Sequence, residues 1–418
     1  MNQPAQGLMA FLNESPTPFH ATAAAIGRLK EAGFVELQEA ESWNPKKGGK
    51  YWVTRNDSSL IAFVLGSDLG KGGFRFLGAH TDSPGLKVKP RGDEDKKGHW
   101  ALGVEVYGGV LLATWFDRDL SIAGKVCYLD RKGATQTQLL DLKEPVGIIP
   151  NLAIHLRREA NDGWKINPQK ELTPVLGLAG ADKGDLKALL AKKIKGAKEV
   201  LDFDLFFYPV EGPRLMGINK EMITGARLDN LVSCFAAVQA ISAHRPGPSA
   251  MMVLNDHEEV GSGSFTGAAG NFLESVLERL LPQPEDRGRA MAASHFLSAD
   301  NAHGLHPNYA EMHDERHAPV LGGGLVIKTN AGQSYITDAE SSGRFQSLCK
   351  DKKIPFQHFA IRADLRCGST IGPLTARRIG VRGLDIGVPN WAMHSARETV
   401  AVKDLGYLVE LMQAWLGE

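Results

Sequence analysis

The second half of the chain alternates between short apolar segments and amphipathic segments, and this alternation restricts the possible folds more than any other feature. After Gly225 the pattern predicts helices at 229–243, 265–281, 338–352, near 372–380 and at 403–416, and strands at 250–255, 295–299, 324–329, 356–361 and 381–386. Alternation of this kind is typical of a mostly parallel sheet covered by helices. The sequence therefore predicts an α/β fold.

The first 225 residues divide into two parts. Residues 3–33 predict two helices separated by a turn at Ser15–Pro18, and strands follow at 51–55, 60–66 and 74–79. A charged loop from Arg91 to Gly98 then opens a β-rich region, with strand-like runs at 100–115, 123–129, 146–156 and 203–210 and one lysine-rich helix near 185–195. We expect this middle region to be a separate domain.

Composition excludes several classes of protein. The chain has 418 residues, enough for two domains, and 48 basic residues balance 48 acidic ones, which argues against a general binder of nucleic acid or of membrane surfaces. No apolar run is long enough to span a bilayer, and the N-terminus lacks the pattern of a signal peptide. Four scattered cysteines without a C-x-x-C pair favour a reducing compartment, so we expect a cytoplasmic protein.

Two adjacent carboxylates follow the predicted strand 250–255. Glu258 and Glu259 come just after the apolar run Ala250–Leu254, and Gly261 and Gly263 allow the chain to turn sharply there. Active sites of open α/β sheets lie beyond the carboxyl ends of the strands. A solvated acidic turn is the plain alternative. The helical zinc motif His-Glu-x-x-His is excluded because Gly261 stands at the position of its second histidine.

Other metal-binding side chains also stand at predicted strand ends. His80 and Asp82 follow strand 74–79, Asp300 follows strand 295–299, His394 follows 381–388, and Asp229 opens a helix. Alone, Asp229 would be read as a helix N-cap and His394 as a hydrogen-bonded loop histidine. Together, two histidines and four carboxylates, besides Asp82, suit a pair of zinc-type ions bridged by a carboxylate.

The chain resembles the aspartyl aminopeptidase family of dinuclear zinc metallopeptidases. The resemblance spans nearly the whole chain in the family's order, and its motifs are Ser15–His20, Gly78–Pro84, Asn151–Leu156, Ala226–Asn230, Asp256–Ser262, Ser298–His303, Gly368–Pro373 and Ala392–Ser395. Each motif is moderately specific, whereas the ordered set is highly specific.

The resemblance implies a role for each residue of the site. The implied metal ligands are His80, Asp229, Glu259, Asp300 and His394. Asp229 would bridge two divalent ions, zinc in the first place with manganese or cobalt as alternatives. Glu258 would be the general base, and Asp82 would orient His80.

Three further roles follow from the resemblance only. On composition His155 is a packed histidine of the β-rich region, and Lys328 is an ordinary edge-strand lysine. The family makes His155 a stabiliser of the oxyanion and Lys328 a reader of the substrate's acidic side chain, while His303 would line the same pocket. Related two-metal hydrolases also predict a cis peptide after Asp229.

The implied architecture is a zinc-exopeptidase-like catalytic domain with a mixed, mostly parallel sheet, formed by residues 1–92 and 225–418. Residues 93–224 would be an inserted β-rich dimerisation domain, with dimers gathered into a tetrahedral homododecamer. The implied activity is removal of N-terminal Asp or Glu from peptides. The alternatives are the same core with neutral or basic aminopeptidase, carboxypeptidase or deacylase specificity, and an inactive shell-forming assembly protein.

Overall fold

The computed structural model describes residues 3–66, 72–178, 184–245 and 247–418. They form two compact units. The first consists of Met1–Asp82, Pro213–Met393 and Glu398–Glu418, and the second of Ser83–Gly212 with the four residues His394–Arg397.

The first unit is built on a nine-stranded mixed sheet. In spatial order its strands are Val35–Glu36, Lys50–Arg55, Ser59–Val64, Ser249–Asn255, Phe74–His80, His295–Ala299, Arg382–Gly387, Leu325–Lys328 and Phe356–Phe359. Five of the eight neighbouring pairs are parallel and three are antiparallel. The predicted α/β class with a mixed, mostly parallel sheet is confirmed.

Both faces of this sheet are covered, which explains the uninterrupted apolar runs. All seven residues of Ser249–Asn255 are buried. Leu254 packs in the cluster that contains Phe11 and Trp415, whereas Met251 packs on the other face with Phe76. Because neighbouring strand residues point to opposite faces, a strand buried on both sides reads as a continuous apolar segment.

Helices supply most of this cover. Those of the first unit are Gln3–Glu14, Pro18–Glu31, Leu228–Ala243, Phe272–Leu280, Pro284–Ala292, Ala339–Lys352, Ile371–Ile379 and Val402–Gly417. Several begin at residues that suit an N-cap: Asp338 accepts from the Ser341 amide and Thr370 accepts from the Gly372 amide. None of the described helices is both long and apolar enough to cross a membrane.

A second, smaller sheet of the first unit joins distant parts of the sequence. Its strands are, in order, Arg214–Met216, Met222–Gly225, Glu398–Ala401, Pro389–Trp391 and Ala302–His303. The hairpin of Pro389–Trp391 with Glu398–Ala401 carries the loop that contains His394. Through these pairings the residues that follow Asp300 and precede Asp229 enter one sheet.

The second unit is a six-stranded antiparallel sheet. Its strands are, in order, Thr135–Asp141, Leu120–Asp130, Ala197–Pro209, Gly85–Asp95, His99–Tyr107 and Val175–Leu178, and its α-helices are Pro168–Glu171 and Leu186–Lys193. Its own apolar core includes Leu86, Ile122, Leu190 and Phe207.

Three local predictions are wrong. The charged segment after Arg91 continues the strand Gly85–Asp95 rather than forming a loop, since its pairing with His99–Tyr107 resumes after an irregularity. Residues 146–156 form two isolated bridges and a one-turn 3₁₀ helix at Ile154–Leu156 instead of a strand. The helix expected from 265 begins only at Phe272, because a tight turn precedes it in which a Cβ on Gly267 would meet the Ser262 carbonyl oxygen at 2.3 Å.

Candidate metal centre

Three adjacent parallel strands bring the predicted metal ligands to one edge of the large sheet. Asn255 is paired with His80, and Ser298 with Gly78. The segments that leave these strands therefore start side by side. They carry His80, the two glutamates and Asp300, while Asp229 comes from the first turn of Leu228–Ala243.

The donor atoms of these residues converge. Nε2 of His80 lies 3.8 Å from Oδ1 of Asp229, 3.8 Å from Oδ1 of Asp300 and 4.0 Å from Oε2 of Glu258. His80 with Asp229 and Asp300, and His80 with Glu258 and Glu259, form two groups whose donor atoms all lie within 4.8 Å of one another. Ligand atoms that share one zinc ion at about 2.0–2.2 Å are separated by roughly 3–4 Å.

Asp82 orients three residues of the site through hydrogen bonds. Its backbone carbonyl oxygen accepts from Nδ1 of His80 (3.0 Å), so Nε2 of the ring faces the carboxylates. Its two carboxylate oxygens accept the amides of Glu258 and Glu259, each at 3.1 Å. The chain bends here, since His257 has a left-handed conformation before the 3₁₀ turn Glu258–Val260, and the bend lets two consecutive glutamates face one site.

Buried hydrogen bonds hold Asp229 at the start of its helix. Its amide donates to Oε2 of Glu398 (2.7 Å), and the side-chain amide of Asn230 donates to the carbonyl oxygen of Ala299 (2.7 Å). The Asp229–Asn230 peptide is cis, as predicted.

The cluster is strongly negative, and its pKa values reflect this. Burial raises the pKa of Glu258 to about 8, and the charges of Asp300, Asp82 and Asp229 add to the effect against that of His80. Burial disfavours charged His80, yet its contacts with Asp300 and Asp82 raise its pKa well above the usual value. Asp300 is buried, which opposes ionisation, but the Lys328 ammonium and His80 lower its pKa.

The donor set fits divalent cations. Four carboxylates and one imidazole share a largely buried space, and like charges in such a space destabilise one another unless a cation lies among them. Imidazole and carboxylate are the ligand types that zinc accepts, while thiolates would indicate a softer site. Cys234 lies beside these residues, and its Sγ donates to the carbonyl oxygen of His80 at 2.9 Å. Burial raises its pKa to about 12, so the group is a thiol and not a thiolate.

Lys328 is buried next to Asp300. Its Nζ donates to the carbonyl oxygens of Asp300 (3.0 Å) and Asn301 (3.1 Å) and lies 3.7 Å from Oδ2 of Asp300. His303 is exposed, and its ring packs edge-on against Phe359 with centroids 5.8 Å apart.

Two predicted site residues belong to the second unit. His394 directs Nδ1 at the carbonyl oxygen of Gly109 (3.0 Å), so a neutral ring with its proton on Nδ1 carries its lone pair on Nε2. His155 lies in the 3₁₀ helix Ile154–Leu156 and is exposed in its unit.

Sequence reasoning missed several buried groups that support the site. Glu398 holds Asp229, Asp385 lies opposite Lys328 in the pairing of two strands, and Asp256 has a pKa raised to about 6 by burial first and then by the charge of Asp82. The available signal was a lone carboxylate inside an apolar strand, as in Leu384-Asp385-Ile386, because such a group requires a partner.

A mixed α/β sheet with a buried histidine and several carboxylates at the carboxyl ends of its strands is the arrangement expected of a metal-dependent hydrolase. Residues 11–416 match the family described as aminopeptidase I zinc metalloprotease (M18). The chain belongs to this family, whose members are zinc metalloaminopeptidases, and is therefore a metalloaminopeptidase.

Individual relatives agree with this assignment. The chain is 53% identical to a probable M18 family aminopeptidase 2 of Azotobacter vinelandii, over 98% of this chain and 97% of that protein, and 52% identical to that of Stutzerimonas stutzeri with the same coverage. A solved structure of an Ape4 and Nbr1 complex superimposes with a TM-score of 0.95 at 35% identity, over 99% of this chain and 85% of that chain. The S. cerevisiae mApe1 dodecamer gives 0.87 at 28%, over 99% and 97%.

Proposed function

We propose that the chain is an aminopeptidase that removes N-terminal Asp or Glu from peptides by activating a water molecule at a two-metal centre. The observation that carries this proposal is the convergence of His80, Asp229, Glu258, Glu259 and Asp300 within a few ångströms at one sheet edge. The acidic preference comes from the resemblance to aspartyl aminopeptidases, together with the buried ammonium of Lys328.

The family resemblance also distributes the metal ligands. His80 and Asp300 would hold one ion, Glu259 and His394 the other, and Asp229 both. Divalent cations held there would supply the positive charge that lowers the pKa of water and of Glu258 and stabilises the negative charge that develops on the carbonyl oxygen. Asp82 keeps His80 and both glutamates aimed at this point.

Glu258 is the residue that moves the proton. It is not assigned as a ligand, so its carboxylate can take a proton from the attacking water and deliver it to the leaving amine. His155 would donate a hydrogen bond to the oxyanion, the role that the family resemblance gives it. Lys328 and His303 would receive the carboxylate of the substrate side chain, because an ammonium in a buried pocket rejects basic and apolar groups.

Assembly and compartment complete the proposal. The second unit would pair subunits into dimers that form a tetrahedral dodecamer. Two observations support this: the mApe1 relative is named as a dodecamer, and the second unit exposes the apolar residues Leu152, Ile154 and Leu156. All four cysteines are free thiols, which favours a reducing compartment such as the cytoplasm.

The test compares aminoacyl substrates and one variant. The zinc-loaded wild type should cleave Asp and Glu substrates at least roughly tenfold more efficiently than Ala, Leu or Lys substrates, a margin that one buried charge contact supplies. Glu258→Gln should keep its metal and lose about 100- to 10,000-fold in kcat, whereas Glu259→Gln should lose metal. Equal efficiency on all substrates would support a broad-specificity aminopeptidase, and activity retained by Glu258→Gln would refute the assignment of the base.

A further inference from the structure

His257 stands between Asp256 and the two glutamates, and neither the proposed ligand set nor the proposed chemistry uses it. It is the first residue of a turn, residues 257–267, that carries Glu258 and Glu259 and that we name the glutamate turn. Within it His257, Gly261 and Ser262 have positive φ angles of 62°, 92° and 60°. The amide of Ser262 donates to the carbonyl oxygen of His257 at 2.7 Å.

The imidazole of His257 ties the beginning of the glutamate turn to its end. Nδ1 lies 2.8 Å from Oγ of Ser264 and 3.0 Å from Oγ1 of Thr266. Oγ of Ser264 also accepts the amide of Gly267 (3.0 Å), so its own hydrogen can be donated to Nδ1. The ring therefore closes a loop of about ten residues with side-chain hydrogen bonds.

Ser59 anchors both ends of the closed turn to the sheet. Its hydroxyl donates to the carbonyl oxygen of Thr266 (2.8 Å) and accepts the amide of Asp256 (2.9 Å). The amide of His257 donates to Oδ1 of Asp256 (2.8 Å). Between these anchors Asp82 accepts the amides of the two glutamates, and the backbone of His257 donates to Asp256 and accepts the amide of Ser262.

We propose that His257 is a positioning residue, whose ring holds the glutamate turn closed so that Glu258 and Glu259 point into the metal centre. This inference rests on the proposed function, since it presumes that Glu258 is the base. The physical reason is that His257 and Ser262 occupy a left-handed conformation that residues with a Cβ disfavour, so the turn needs compensating bonds. The opposing interpretation is a partly exposed histidine that only adds to stability.

The experiment removes the hydrogen bonds between the His257 ring and the hydroxyl groups of Ser264 and Thr266, first by replacing the ring and then by replacing the hydroxyl groups. His257→Asn keeps a residue that tolerates the left-handed conformation but lacks the ring, and Ser264→Ala with Thr266→Val removes the hydroxyl groups without touching His257. We expect each, assayed at saturating zinc, to lower kcat on an Asp substrate about 10- to 100-fold, the effect of a misplaced catalytic group, with KM within about twofold. The combined variant should lose no more activity than the Ser264→Ala, Thr266→Val variant alone, because that variant already lacks the contacts of the His257 ring together with the bond from the Gly267 amide.

A second readout does not depend on activity. In the metal-free protein, hydrogen exchange at the amides of Glu258, Glu259 and Ser262 should be at least roughly tenfold faster in these variants than in wild type, as local opening becomes easier. His244→Asn is the matched control, because this half-buried histidine lies outside the glutamate turn, where its Nε2 contacts the carbonyl oxygen of Pro248, and its replacement should leave both readouts at wild-type values.

The outcomes separate the two hypotheses. Unchanged exchange and unchanged kcat in His257→Asn would overturn the positioning role, and so would additive losses in the combined variant. A fall in melting temperature without any change in kcat would mean that His257 only stabilises the fold. If exchange depends on His257 while Glu258→Gln remains fully active, the positioning of the turn stands and the proposed base is wrong.

Discussion

Lys328 carries an ammonium group that is buried inside the first unit, and the proposed function gives it two roles: support of Asp300 and recognition of the substrate carboxylate. Two of its three hydrogens reach the carbonyl oxygens of Asp300 and Asn301, so it holds the backbone of a proposed ligand. Tyr335 lies beneath it, with the ring centroid 5.0 Å from Nζ. Only the remaining hydrogen is available for the substrate carboxylate in the proposed pocket.

Replacing Lys328 should separate these two tasks. Lys328→Met keeps the apolar stem, and we expect a loss of about tenfold in kcat/KM on all substrates because Asp300 loses its support. A further loss of about 10- to 100-fold, mainly in KM, should appear with Asp and Glu substrates alone, since one charged hydrogen bond disappears. The ratio of kcat/KM for Asp over Ala substrates measures the second effect, and an unchanged ratio would limit Lys328 to supporting Asp300.

His295 should make the stability of the first unit sensitive to acid. Burial, followed by the charges of Arg344, Arg75 and Arg382, lowers the pKa of His295 to about 4, and Arg344 contacts its Nε2 at 2.7 Å. In the unfolded chain His295 binds a proton as the pH falls through about 6.5, whereas in the folded chain it does so only near pH 4. Stability from this group is therefore complete above pH 6.5 and declines as the pH falls through that window.

The check is a comparison with His295→Gln, which can still accept from Arg344. Between pH 7.5 and pH 5 wild type should lose about 1 kcal/mol more of its free energy of unfolding than the variant, a value reduced by solvent around the half-exposed ring. Urea denaturation at the two pH values gives the difference. Parallel pH profiles would show that His295 does not titrate differently in the two states.

At the scale of elements, eight of the nine strands of the large sheet were predicted within a few residues because most of them are plain apolar runs, whereas the exposed strand Val35–Glu36 was not predicted. The segments that failed lack such a signal. Gly85–Asp95 ends in charged residues, and its identity as a strand depends on pairing with His99–Tyr107, which lies outside any local window. The helix Pro284–Ala292 was missed because seven of its nine residues are polar, charged, Gly, Pro or exposed, so its apolar periodicity is weak.

The helix Ala339–Lys352 offers a test at this scale. Asp338 and Ser341 form a reciprocal capping box, with the Ser341 amide 2.7 Å from Oδ1 of Asp338 and the Asp338 amide 3.0 Å from Oγ of Ser341. Asp338→Ala should cost about 1 kcal/mol in the free energy of unfolding. Asp338→Asn, which keeps the cap without the charge, should cost much less. Oδ2 of Asp338 also lies 3.5 Å from Nε of Arg382, so equal losses of both variants in urea denaturation would attribute the effect to this ion pair rather than to the cap.

At the scale of the whole molecule, the exposed His155 raises the question of which active site it serves. If the second unit pairs subunits about a twofold axis, His155 can complete the site of a partner subunit. Loss of one oxyanion donor typically reduces kcat about 100- to 1000-fold. A dissociated monomer would then keep its zinc and be nearly inactive.

Mixing two inactive variants decides between the two arrangements. We expect that His155→Ala and Glu258→Gln, combined under conditions of subunit exchange, recover a fraction of wild-type activity, because a heterodimer then contains one site with neither defect. Two preparations of the same variant, mixed in the same way, are the control and should remain inactive. If mixing restores nothing although mass analysis shows exchanged subunits, His155 acts in its own chain.

The sequence by itself determined the fold class and the identity of the side chains at the strand ends. Both depend on local composition: apolar runs specify buried strands, and a parallel arrangement brings the residues after those strands to one edge. The ordered motifs added the family and the expected role of each residue.

Only the tertiary structure decided how these side chains are held. Asp82 accepts both glutamate amides from a segment more than 170 residues away, and Glu398 does the same for Asp229 across 169 residues. Lys328 reaches Asp300 across the strand Arg382–Gly387, which pairs with Leu325–Lys328 on one side and with His295–Ala299 on the other. No local pattern specifies such contacts, since the geometry of a buried hydrogen bond depends on the register of strands that are distant in the chain.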